Sequence, residues 1–199
     1  MALSPHDIKG TIHVEADDGT GTKGETKDKG PQNVPVDESV TDGPSSAKGH
    51  VGNWNSVKGT AKASAGRGAA RTAKAKSQNT VSADLEAKLP ENVTLNFEAT
   101  IEATLTGDGK ATVTITAEIP NTNAKVTKEY KLEVAKDPTK INIGNGQPGQ
   151  MKNGGKSTQK ATDAKVNLPK GKYALAENVN VESEADADVS VTVEFKDEK

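Results

Sequence analysis

Residues 93–119 read VTLNFEATIEATLTGDGKATVTITAEI. On both sides of Gly107-Asp108-Gly109, apolar or small residues alternate with Thr, Glu and Asn, so one set faces inward and the other faces solvent. This two-residue period is typical of a β-strand with one buried face and one wet face. A Gly-Asp-Gly triplet is typical of a tight turn. The stretch therefore predicts a long antiparallel β-hairpin that turns at residues 107–109.

Shorter segments with the same alternation occur along the rest of the chain. They lie at 8–15, 126–134, 141–143, 164–168, 172–175, 179–183 and 189–195. Many short strands separated by turn residues are typical of a β-sandwich or a jelly roll. We therefore predict an all-β fold, an antiparallel β-sandwich or jelly-roll-like structure with long polar loops and at most one short helix. Ser82 would cap that helix and Pro90 would end it.

The chain between the first strand and the predicted hairpin has a different composition. Residues 17–46 are polar and rich in Gly and Pro, which predicts a long loop. Residues 47–81 combine alternating Ala with Lys and Arg, which fits either small-residue strands or a flexible basic arm. The resulting organisation is a main β domain at 1–143 with a polar and basic insertion at 17–81, a Gly-rich loop or hinge at 144–155, and C-terminal strands at 156–199. Those last strands either complete the same sandwich or form a small second β unit.

The predicted core is small. Only 34 of the 199 residues are Val, Leu, Ile or Phe, while the net charge of -2 is too low for a typical disordered chain. Burial contributes about 25 cal/mol per Å² of apolar surface and must offset a large loss of conformational entropy. We therefore expect a monomer to be short of buried area and to gain more by associating with copies of itself.

The sequence contains no cysteine, so disulfides and thiolate metal sites are excluded. The N-terminal residues lack the basic and apolar segments of a secretory signal, and no run of 18 apolar residues occurs. We expect synthesis without such a signal and leave the location undetermined, with a virion or an extracellular assembly favoured.

Charge is distributed in three blocks. Net charge is -5 over residues 15–42, +7 over residues 43–83 and -6 over residues 177–199. The blocks can neutralise one another within a subunit or between neighbouring subunits, where complementary charge fixes register and partner choice. The predicted interaction residues are Lys58, Lys62, Arg67, Arg71, Lys74, Lys76 and Trp54. An acidic protein surface is their favoured partner, and nucleic acid is less favoured because aromatic residues for base stacking are scarce.

Enzyme motifs are not evident in the sequence. His6, His13 and His50 are the only histidines, and none lies at a spacing typical of a catalytic or metal-binding motif. The pattern G-x-G-x-x-G occurs at 19–24 and at 144–149, but neither copy is followed by the apolar helical period that dinucleotide binding needs. Both copies are interpreted as loops, so we predict no catalytic residue and no cofactor.

Carboxylates in turns provide the remaining candidate site. Glu184, Asp186 and Asp188 are the best candidates for calcium ligands, and Asp17-Asp18 is a second acidic turn. Aspartate is also common in turns because its side chain hydrogen-bonds to the local backbone. Turn formation is the favoured interpretation, so no metal is predicted.

Three functional hypotheses remain. The favoured one is a non-enzymatic structural protein that self-associates, such as a phage virion component (capsid decoration, head or tail) or a fibre subunit. The alternatives are a surface adhesion module for glycans or a receptor, and a nucleic-acid-associated protein that uses residues 58–76. The favoured hypothesis follows from fold class and composition by analogy.

Overall fold

The computed structural model describes residues 5–21, 24–144 and 148–197, and within these ranges the chain forms fourteen β-strands and no helix. The strands are β1 (His6–Asp17), β2 (Glu25–Asn33), β3 (Val36–Asp42), β4 (Ser45–Asn53), β5 (Ser56–Ala63), β6 (Lys74–Ala87), β7 (Glu91–Val93), β8 (Leu95–Glu118), β9 (Lys125–Val134), β10 (Lys140–Gly144), β11 (Pro148–Lys152), β12 (Gly155–Thr162), β13 (Val166–Leu168) and β14 (Gly171–Asp197). The all-β, antiparallel, sandwich-like fold class predicted from the sequence is confirmed.

The stretch that predicts a hairpin is instead one long strand, so that prediction is wrong. β8 runs antiparallel to β14 along its whole length. At residues 107–109 the pairing register shifts, because three residues of β8 lie opposite the single residue Ala185. Gly107 and Ala185 both have positive φ angles, 55° and 56°. The glycines therefore form a β-bulge, which bends a strand without reversing it.

The bulge divides β8 and β14 between two layers of one folded sheet. Layer A contains, in order, β12, residues 95–105 of β8, residues 187–197 of β14, β5, β4 and β3. Layer B contains, in order, β11, β10, β9, residues 110–118 of β8, residues 171–184 of β14, β6, β1 and β2. Strands β7 and β13 form a separate two-stranded sheet.

The two layers pack face to face through small residues. A Cβ atom on Gly49 of layer A would lie 2.5 Å from Ile12 Cγ2 of layer B, and one on Gly10 would lie 3.0 Å from Val51 Cβ. Polar side chains also cross between the layers, because the Ser77 hydroxyl donates to the Lys48 carbonyl at 2.8 Å. Glycine at these positions lets the backbones approach more closely than side chains would allow.

The interior is better filled than composition predicts. Of the large apolar side chains that the structure describes, only Leu89 is strongly exposed, at 69%. Phe97 and Phe195 pack edge to face with ring centroids 6.1 Å apart. Numerous buried alanines share the interior with Val, Ile and Leu. The expectation that a monomer is short of buried area is therefore wrong. Buried alanines and closely spaced layers fill the interior where bulky side chains are few.

Two local predictions are wrong, and one open alternative is decided, because cross-strand pairing determines these segments. The predicted loop at 17–46 contains β2, β3 and the start of β4, with β2 paired to β1. The segment 47–81 forms strands β4, β5 and most of β6, so the small-residue strand alternative is correct there. Residues after Ser82 continue β6 as a strand rather than a helix, since β14 provides its hydrogen-bond partner.

The C-terminal strands join the same sheet as the N-terminal ones. β14 pairs with β5, β6 and β8. The Gly-rich segment 144–155 supplies β11, which pairs with β10, and the start of β12; residues 145–147 lie outside the described part. Within the described ranges, no helix is long and apolar enough to cross a membrane.

Candidate functional site

The predicted interaction residues are spread over neighbouring elements. Lys58 and Lys62 lie exposed on β5, and Lys74 and Lys76 lie on β6. Arg67 and Arg71 lie between these strands and are also exposed, while Trp54 occupies the β4–β5 turn and packs partly against the core. The flexible-arm alternative is wrong for these four lysines, because they lie in the paired strands β5 and β6.

Four of these basic residues face carboxylates of the same chain. Lys74 Nζ lies 3.5 Å from Glu184 Oε1, and Lys76 Nζ lies 3.6 Å from Glu182 Oε1. Arg71 donates to Asp17 at 2.7 Å, and Lys62 lies opposite Asp188 in the strand register. The basic and C-terminal acidic blocks thus meet within one subunit, which is one of the two alternatives that the sequence leaves open.

Of these side chains, Lys74, Lys76, Glu182, Glu184 and Asp17 line a shallow polar groove of about 500 Å³ at layer B. Its charged lining residues are Glu15, Asp17, Glu25, Lys74, Lys76, Glu182 and Glu184. Ion pairs between exposed side chains contribute only about 0–1 kcal/mol each, since water screens them. The groove provides paired charges rather than a buried reacting group.

His13 extends this row of charges towards β2. Its Nδ1 lies 2.5 Å from Asp28 Oδ1, and its Nε2 contacts the Glu15 carboxylate. The hydrogen bond to Asp28, together with Glu15, raises the pKa of His13 above its usual value of 6.5. The protonated ring is favoured because both ring nitrogens then donate to carboxylates.

An NMR pH titration of the His13 ring is expected to give a pKa above 6.5 in the folded protein. Asp28→Asn should lower that pKa, because it removes the largest favourable contact. Asp37→Asn, which alters the 2.8 Å contact to His50, is the matched control and should leave His13 unchanged. The contacts of protonated His13 with Asp28 and Glu15 stabilise the fold below pH 6.5, and this contribution is lost as pH rises through the raised pKa of His13. Equal His13 titrations in wild type and Asp28→Asn contradict the assignment.

The predicted calcium candidates do not converge in the described structure. Glu184, Asp186 and Asp188 are exposed on β14, and Glu184 already faces Lys74. Carboxylate or imidazole atoms do approach within 4.8 Å of one another elsewhere, in two other groups of described residues. These groups are His6 with Asp7 and Asp84, and Asp17 with Asp18 and Asp42.

The second of these groups joins three connections at one end of the sandwich. Asp17 accepts from Arg71, the Asp42 carboxylate accepts from the Asp18 amide at 3.2 Å, and Asp18 accepts from both the Thr20 hydroxyl and amide. Hydrogen bonds from Thr20 lower the pKa of Asp18. The group acts as a structural network between the ends of β1, β3 and the β5–β6 connection.

The sequence analysis missed two features of the structure: the contacts that join Asp42 and Arg71 to the Asp17 group, and the buried carboxylate of Glu177. Asp42 and Arg71 are distant in sequence from Asp17, and only the fold brings them together. Glu177, in contrast, carried a readable signal, since it shares the inward alternation of Leu175 and Val179. A carboxylate on the apolar side of a strand is the unusual feature that the alternation exposes.

No helix begins at either glycine motif within the described residues. The copy at 19–24 follows β1, but no helix begins there, and residues 22–23 lie outside the described part. The copy at 144–149 belongs to the β10–β11 connection, of which residues 145–147 are likewise outside it. Helix amides that would meet a pyrophosphate are therefore not seen at either position.

Compared with known proteins, the sequence matches no protein family model, and no curated protein is significantly similar to it.

Proposed function

We propose that this protein is a non-enzymatic structural subunit that associates with copies of itself, such as a phage virion component or a fibre subunit. The observation that carries the proposal is a set of open sheet edges. Within the described residues, β2, β3, β11 and β12 each pair with a strand on one side only. Open edges present unpaired backbone groups on which another chain can add a strand.

The proposal does not depend on a shortage of core, because the interior is filled by the chain itself. Its support is the combination of open edges with outer faces that carry paired charges. The nucleic-acid alternative has less support, since Arg71, Lys74 and Lys76 already face carboxylates of their own chain. The adhesion alternative depends on Trp54, whose ring packs partly against the core.

Sedimentation velocity and electron microscopy over a range of concentrations test this function. Self-association predicts species heavier than the 20.7 kDa chain that grow with concentration, and shells, rings or filaments in the images. Because one chain pairs its own strands and fills its own interior, circular dichroism should not change between low and high concentration. A single 20.7 kDa species at every concentration contradicts the proposal.

A further inference from the structure

The two end strands of layer A carry opposite charge. β3 contains Asp37, Glu38 and Asp42 and no basic residue. β12 contains Lys156 and Lys160 and no acidic residue. Each strand has one open edge, since β3 pairs only with β4 and β12 only with β8 among the described strands. Asp37 shares the outer face of layer A with Lys156 and Lys160, whereas Glu38 and Asp42 lie on the inner face with Val36 and Val40. Both lysines also pair with glutamates of the neighbouring strand β8, Glu102 and Glu98. Layer A therefore ends in an acidic strand at β3 and a basic strand at β12, and Asp37 is the β3 carboxylate placed to face the lysines of another copy.

Strand direction makes these two edges compatible with each other. All six strands of layer A are antiparallel to their neighbours, so β12 and β3, at opposite ends of an even number of strands, run in opposite directions. A second copy shifted along the layer without inversion would place its β12 antiparallel to β3 of the first. The buried faces of both copies would also remain on the same side.

The other open edges are less suited to strand addition. β2 contains Pro31, which has no backbone donor, and carries Lys27, Asp28 and Lys29 in succession. Proline and mixed charges are the features by which natural sheets block edge pairing. β11 has only five residues, compared with seven in β3 and eight in β12.

We propose that copies of this protein join head to tail, the β12 edge of one copy adding to the β3 edge of the next, to form a continuous antiparallel sheet. This rests on the proposed function of self-association and specifies its interface. Pairing of β3 with β3, or of β12 with β12, is disfavoured because each brings together like charges. A contact between two different surfaces continues from copy to copy, so it builds a filament or a closed ring.

Charge reversal of each edge tests the interface. Lys156→Glu/Lys160→Glu gives a subunit with two acidic edges, and Asp37→Lys/Glu38→Lys gives one with two basic edges. Each variant alone is expected to sediment as a monomer at concentrations where wild type assembles. An equimolar mixture should assemble again, because the acidic β12 of one variant then meets the basic β3 of the other.

Lys125→Glu/Lys131→Glu is the matched control, since it reverses two lysines of the interior strand β9 that also face Glu side chains. It is expected to assemble like wild type. Circular dichroism and thermal melting establish that each variant is folded. If a reversed variant is unfolded, the neutral pairs Lys156→Gln/Lys160→Gln and Asp37→Asn/Glu38→Gln replace it, and each should raise the concentration needed for assembly by about tenfold.

The outcomes separate this interface from the proposed function. If wild type assembles and the folded edge variants assemble equally well, or if the mixture stays monomeric, the β3–β12 interface is wrong while self-association stands. If the neutral pairs assemble at the wild-type concentration, the interface is wrong as well. If wild type itself is monomeric throughout, both proposals fail.

Discussion

Replacing Glu177 with glutamine is expected to abolish a loss of stability that wild type shows as pH rises above about 4.5, the usual pKa of a glutamate. Glu177 lies on the inward face of β14 and is 2% exposed. Its strand neighbours in the register are Val81 and Ala117, and its Oε2 atom has no hydrogen-bond partner. Burial raises the pKa of Glu177 well above the usual value, because the charged form is poorly solvated there.

The direction of the pH effect on stability follows from the protonation of Glu177 in the folded and unfolded chains. Between the unfolded and folded pKa values of Glu177, the folded chain holds a proton that the unfolded chain has released. Stability therefore falls with rising pH in this range, by at most about 1.4 kcal/mol per pH unit, and is constant again above the folded pKa. Below pH 4.5 the group is neutral in both states and has no effect on the pH dependence.

Urea denaturation of wild type and Glu177→Gln at a series of pH values from 4 to 9 measures the effect. The difference in unfolding free energy between them should grow in favour of the variant as pH rises. His13 contributes to both proteins alike, and Tyr130, whose pKa burial raises to about 12, does not titrate in this range. Glu182→Gln, on the outer face of the same strand, is the control and should keep the wild-type slope. Parallel curves for wild type and Glu177→Gln would show that Glu177 is not buried as described.

Replacing Gly109 with alanine is expected to destabilise the protein by about 3 kcal/mol or more. A Cβ atom on Gly109 would lie 2.4 Å from the Asp186 carbonyl oxygen and 2.9 Å from its carbon. Both contacts are with the backbone of the paired strand, so they cannot be relieved by a side-chain rotation. Relief would require β8 and β14 to separate at the bulge where both strands pass from layer A to layer B.

Alanine variants at two other glycines distinguish the cost of a steric clash from the cost of the backbone conformation. Gly107 and Gly68 have φ angles of 55° and 81°, and a Cβ atom at either would meet nothing within 4 Å. Alanine at either should cost only about 1 kcal/mol, the penalty for a left-handed conformation. Chemical denaturation of the three variants should therefore rank Gly109→Ala far above the other two. A loss for Gly109→Ala no larger than that for Gly68→Ala would contradict the described bulge.

The sequence predicted which charged residues the candidate site contains, but not how they pair with one another. The basic block and the acidic C-terminal block were visible as charge counts, although Glu177 of the acidic block is buried. The pairing of Lys74 with Glu184 was not visible, because it requires β6 to lie beside β14. The sequence likewise offered the acidic turn at Asp17 but not its contact with Arg71, which another connection supplies.

The all-β class and the inward-facing side chains could be predicted from the alternation alone, because a two-residue period is a local property of an extended backbone. Which strands pair with each other could not be predicted in this way. Gly107-Asp108-Gly109 is the example, because the same triplet fits either a turn or a bulge. The choice of the bulge depends on the folded arrangement, since the free energy of pairing β8 with β14 depends on a strand far away in the chain. For the same reason, the strands within 17–46 formed despite weak local preference, because a partner supplied their hydrogen bonds.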